Sequence, residues 1–94
     1  MPKQLAAILW DHQVRLEGSL VLERDQLRFQ YEKPQKTGLH LVIPKDEIQA
    51  VEEYLLFGVE RKGIAIHSTH GRTDRFIVDD PSKTRQILSN WLED

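Results

Sequence analysis

Four histidines, His12, His40, His67 and His70, are the side chains of this sequence best suited to holding a metal ion. His67 and His70 stand three apart, a spacing that brings two imidazoles onto one face only in a helix; on a strand running into a turn they diverge. His12 and His40 lie in other segments without ligand spacing, and the chain has no cysteine, so a zinc centre lacks its remaining ligands. Ser68, His67 and Asp74 supply the residue types of a nucleophile, a base and an orienting acid. No nucleophile elbow surrounds them and no glycine-rich phosphate loop occurs. The sequence therefore argues against catalysis, a metal and a bound cofactor, and leaves a small metal-dependent enzyme as the remotest reading.

Cations in the polar segments suggest a different chemistry. Lys33, Lys36, His70 and Arg72, with His12 nearby in type, could hold a phosphate or carboxylate if their loops met, because converging cations and exposed loop N–H groups bind anions. Asp11 and Glu32 dilute that cluster. Thirteen basic residues against fifteen acidic ones give a net charge of −2, which lacks the positive field that drives nucleic-acid binding. Nucleic acid is thus not expected as a partner.

Those side chains need a scaffold, and 94 residues make one domain, residues 1–94, that hides roughly 65% of its extended surface on folding. No apolar run approaches the length of a membrane span. Residues 1–10, MPKQLAAILW, lack the apolar length and the cleavage site of a secretory leader, so the expectation is a soluble, cytoplasmic chain.

Period-two patterning runs through the first four-fifths of the sequence. Val14, Leu16, Gly18, Leu20 and Leu22 alternate with polar residues, Val21 being the one apolar exception; Leu27, Phe29 and Tyr31 continue the pattern after a polar step at residues 23–26. Residues 32–38 read as an exposed loop. Leu39, Leu41 and Ile43 alternate up to Pro44, which cannot donate to a ladder. Residues 48–54, 64–67 and 72–78 read as three more strands and residues 5–10 as the first, making seven. The period then changes. Asp80 suits an N-cap and Pro81 the first helical position, while Thr84, Ile87, Leu88, Trp91 and Leu92 form one apolar stripe. The expected fold is mainly β: a partly open seven-stranded barrel of two antiparallel sheets, strands over about 5–78, capped by one C-terminal helix over about 81–92.

Several local patterns resemble the GRAM-type branch of the pleckstrin-homology superfold. Gly18-Ser19-Leu20-Val21-Leu22-Glu23-Arg24-Asp25-Gln26-Leu27-Arg28-Phe29 resembles its second and third strands, with Glu23 where the family usually has Thr. Val42-Ile43-Pro44-Lys45-Asp46-Glu47-Ile48-Gln49-Ala50-Val51 resembles its next element. Gly63-Ile64-Ala65-Ile66, Arg75-Phe76-Ile77-Val78 and Ile87-Leu88-Ser89-Asn90-Trp91-Leu92 resemble its late strands and closing helix. The resemblance implies a PH-like barrel whose loops after strands one, three and six share one open end, which would bring His12, Lys33, Lys36, His70 and Arg72 together. It also implies a binding module for proteins, peptides or anionic lipid head groups. The Lys-x(n)-Arg-x-Arg pattern of phosphoinositide binders is missing from residues 10–15, which lowers the lipid reading.

The functional expectation is a non-enzymatic module that binds a protein partner or itself; the alternative is a membrane-surface or anionic-lipid binder acting through the open-end loops. One anomaly favours self-association. Tyr54-Leu55-Leu56-Phe57 is a continuous apolar run, and if Tyr54 keeps the parity of Ile48 and Ala50, then Leu55 and Phe57 point outward. An exposed strand of this kind suits a two-fold homodimer.

Overall fold

The computed structural model describes residues 3–11, 14–32, 41–55 and 62–93, with only the backbone described at residues 11, 14, 55 and 62. Among the described residues, seven strands and one helix follow in chain order: β1 (Lys3–Asp11), β2 (Val14–Leu22), β3 (Gln26–Tyr31), β4 (Leu41–Pro44), β5 (Ile48–Leu55), β6 (Lys62–Ser68), β7 (Thr73–Ile77) and α1 (Pro81–Glu93). A 3-10 turn, Lys45–Glu47, follows Pro44, so that proline ends its strand as its missing donor requires.

All ladders are antiparallel and the strand order is β4-β3-β2-β1-β7-β6-β5. The expected two sheets are one. Strand β1 is nine residues long, enough to pair with β2 along its whole length and with β7 at Ile8↔Ile77, Leu9↔Phe76 and Trp10↔Arg75. Those three pairs join a β4–β1 half to a β7–β5 half, and the sheet curls so that its two edge strands are linked through the 3-10 turn.

Leu9, Leu20, Leu22, Leu27, Phe29, Ile43, Ile64, Ile66, Phe76 and Leu88 fill the inside of the curl. The Phe29 ring stands edge-on to Tyr31 at 5.2 Å and lies 5.6 Å from Phe76, so the two halves of the sheet meet through aromatic contact. Helix α1 closes the curl. Asp80 caps it by accepting a hydrogen bond at Oδ1 from the Lys83 N–H (3.1 Å), which satisfies one orphan donor of the first turn. Thr84 and Leu88 are its buried side chains. Trp91, a member of the expected apolar stripe, is half-buried: its ring packs on the core edge, its indole N–H donates to the Glu23 carbonyl at 2.7 Å, and the Lys45 ammonium sits 4.9 Å over the ring. The Glu23 carboxyl is held below the usual carboxylate range, first by the hydrogen bond from Gln26 Nε2 (2.7 Å) and then by Arg28. This fixes the β2–β3 turn beneath the helix.

The parity premise used for residues 48–57 does not hold. Ile48 pairs with Ser68, Ala50 with His67 and Val51 with Ile66, with a register shift between Ile48 and Ala50. This β-bulge sends Ile48 and Val51 to the core side and puts Ala50, Glu52 and Tyr54 on the outer face, since a single extra residue reverses all later side chains. The argument that turned Leu55 and Phe57 outward therefore loses its basis. Phe57 itself, like the Leu55 side chain, lies outside the described residues.

Candidate interaction surface

Three of the sequence's inferred groupings can be followed into the structure. His70 and Arg72 flank Gly71, whose φ of 77° is the left-handed conformation that glycine adopts without strain, on the turn between β6 and β7. His70 Nε2 lies 3.5 Å from Glu47 Oε1 and Arg72 Nε lies 3.1 Å from Asp74 Oδ2. Each of these two side chains thus already faces a carboxylate. Lys33, Lys36, His12 and His40 fall outside the described residues. The Ser68, His67 and Asp74 trio is divided by the sheet: Ser68 and Asp74 share the face of Ile48 and Ile66, while His67 shares that of Ala50 and Thr73. His67 instead joins Thr73 Oγ1 at Nδ1 (3.0 Å) and Glu52 Oε2 at Nε2 (3.2 Å), tying β5, β6 and β7 together on the outer side. Among the described residues, no three His, Asp or Glu side chains gather as metal ligands.

The outer face of the sheet carries a feature the sequence did not announce. Cross-strand register places Arg15, Trp10, Arg75, Ala65 and Glu52 in one row over β2, β1, β7, β6 and β5. The adjacent row, two residues along each strand, is Glu17, Ile8, Ile77, Gly63 and Tyr54. Arg15, Trp10 and Arg75 alternate along the first row, and Tyr54 stands at the end of the second. The Arg15 guanidinium lies 5.0 Å over the Trp10 ring, and that of Arg75 lies 5.5 Å over Tyr54. Such contacts hold a guanidinium flat on a ring and leave its edge donors available. Ile77 and Ala65, both 5% exposed, are covered beneath this layer, and Ile8, Trp10 and Tyr54 are half-buried.

Beside the rows lie two adjoining hollows of about 220 and 350 Å³ that share Ala6, Gly18 and Glu32. Ala6 and Ser19, cross-strand neighbours, supply small side chains to the second hollow. Glu17, Glu32 and Asp79 border the first hollow. The Glu32 N–H donates to the Glu17 carbonyl (2.9 Å), so two glutamates stand side by side, a placement that costs stability when no cation intervenes. Among the described residues, none of these three carboxylates enters an ion pair.

Sequence reasoning missed this surface because its members are remote in the chain, Trp10 and Arg75 above all. A signal was present. The runs Ala6–Trp10, Ile64–Ile66 and Phe76–Val78 are apolar at every position, the mark of strands covered on both faces, and these are the strands that build the two rows.

No protein-family model matches the chain, and no curated protein matches it. Among solved structures, the chain is similar to the C-terminal domain of an unknown protein from Leishmania infantum, with a TM-score of 0.75 and 17% sequence identity over 96% of this chain and 82% of that one. At that identity the likeness is one of fold.

Proposed function

We propose that this chain is a non-enzymatic protein-interaction module of PH-like type whose recognition surface is the outer face of β2, β1, β7, β6 and β5. One observation carries the reading: an ordered double row of arginines, aromatic rings and aliphatic side chains on the side of the sheet turned away from the core. Protein interfaces are enriched in Trp, Tyr and Arg, and their strongest contacts come from such anchors. The strand–helix order and the GRAM-like patterns in residues 18–29 and 42–51 agree with a binding module. The same reading has the module act in the cytoplasm, where a cysteine-free chain is at no disadvantage.

The alternative, an anionic lipid head group or phosphate at the loop end, has less support, because the two described candidate residues there, His70 and Arg72, already face Glu47 and Asp74. Capture from the native source separates the readings. A tagged wild-type chain should retain a stoichiometric protein that Trp10→Ser with Arg15→Ser loses and His70→Ala with Arg72→Ala keeps, all three chains giving the same circular dichroism. Equal capture by every variant, or loss only in the turn variant, would remove the outer face from the proposal. Co-sedimentation of the wild type with anionic vesicles would favour the lipid alternative.

A further inference from the structure

Where the two rows of the outer face cross β2 and β1 they are complementary to each other, Arg15 and Trp10 in one against Glu17 and Ile8 in the other, and from this we infer that the face recognises a second copy of the chain. The inference rests on the reading that this face is the recognition surface, and it names the partner.

The complementarity follows from register. On β2, Arg15 and Glu17 are successive residues of the outer face; on β1, the cross-strand partners of those two are Trp10 and Ile8. Consider a two-fold axis lying in the plane of the face, crossing the strands and passing between the rows. It carries one row onto the other. Arg15 then faces the partner's Glu17, and Trp10 faces the partner's Ile8. The reverse contacts follow by symmetry, as a two-fold interface requires. The sheets meet face to face with their strands nearly aligned, the packing found in β-sandwiches.

Charge selects this occupant over an acidic or a basic partner. An acidic peptide would suit Arg15 but meet Glu17 and Glu32; a basic one would suit the glutamates but meet Arg15. A second copy answers both at once. The residues are ready for it. Arg15 is exposed and stacked on its own Trp10, so its edge donors are free to meet a carboxylate in plane. Glu17 and Glu32 are exposed, adjacent and outside any ion pair among the described residues, and a cation from the partner removes the cost of holding them together. A net charge of −2 leaves little long-range repulsion between copies.

Charge exchange gives a direct test, read by light scattering with dilution. The wild type should be a dimer. Arg15→Glu places two glutamates opposite one another at both symmetric contacts, and Glu17→Arg places two arginines there. Each variant alone should therefore dimerise about a hundredfold more weakly or not at all. Mixed, the two should form a heterodimer, because both of its contacts are again Arg against Glu or Glu against Arg. A wild type that stays monomeric at high concentration overturns the inference, as does either single variant that remains dimeric or a mixture that fails to pair. Both positions are exposed, and a circular-dichroism melt establishes folding; if either variant is unfolded, Arg15→Gln and Glu17→Gln take its place, and each must weaken the dimer. A monomeric wild type would leave the protein-capture result untouched, so the identity of the partner and the role of the face fail separately.

Discussion

At Gly18 two opposing effects can be weighed. Replacing glycine in an extended segment usually stabilises a fold by about 0.4–1 kcal/mol, because the unfolded chain loses freedom. Here an added Cβ would lie 2.2 Å from the Gln30 carbonyl oxygen and 2.8 Å from the Phe29 ring. Phe29 is 1% exposed and touches both Tyr31 and Phe76, so its ring has nowhere to move. Overpacking of this sort costs about 1–3 kcal/mol, and the clash wins. Gly18→Ala should lower the urea midpoint at unchanged slope; an unchanged or higher midpoint would mean that strands β2 and β3 part easily. The sequence showed Gly18 only as a member of an alternating strand. Its actual task, leaving room for an aromatic ring from the next strand, depends on a cross-strand neighbour that spacing within β2 cannot identify. Val21 makes the same point from the other side. It breaks the alternation because it is buried on the outer face, at 0% exposure, in register with Gln4 and Arg28.

Among the elements, α1 was the most legible, since its cap, its proline and its apolar stripe are all local in sequence and all have the roles their types suggest. What the stripe could not rank is depth. Leu88 is 1% exposed, whereas Trp91 is half-buried and anchored by a hydrogen bond as well as by its ring. Leu88→Ala should accordingly cost about 2–5 kcal/mol. Trp91→Phe keeps much of the ring and loses one hydrogen bond, at about 1 kcal/mol. Denaturation curves of both variants check the order; a larger loss for Trp91→Phe would make the indole N–H, and not the aliphatic plug, the main tie between α1 and the sheet. Strand β5 was the least legible. Its bulge between Ile48 and Ala50 leaves no mark in composition, and one inserted residue reverses the face of every side chain beyond it. The parity argument for an interface at Leu55 and Phe57 lost its basis for this reason, while the outer-face rows, assembled from four central strands and β5, require the register of the whole sheet.

For the molecule as a whole, the decisive feature is how its two halves are joined. Strands β4–β1 contain mostly near-neighbour hairpins, as do β5–β7, yet the β1–β7 ladder connects residues more than sixty positions apart through three pairs. Closing so long a loop is entropically costly and is repaid only when many contacts form with it. The contacts available are Phe29 against Phe76 and the shared core of Leu9, Ile64 and Phe76, which belong to both halves at once. Neither half can keep its apolar face covered alone, since Leu9, Leu20 and Phe29 of one half share a single core with Ile64, Ile66 and Phe76 of the other and with Leu88 of α1. The fold should therefore unfold in one transition, in the manner of small single domains. Native-state hydrogen exchange can examine this residue by residue. The amides of Leu9, Leu20, Ile64, Ile66 and Phe76 should all exchange with one free energy, equal to that of global unfolding, and should fall together as denaturant is added. Exposed residues of the edge strands β4 and β5, such as Val42 and Gln49, should exchange sooner through local fraying. If Ile64 and Phe76 lose protection at lower denaturant than Leu20, the β5–β7 half opens by itself, and the three-pair ladder is a hinge between two cooperative units instead of the seam of one.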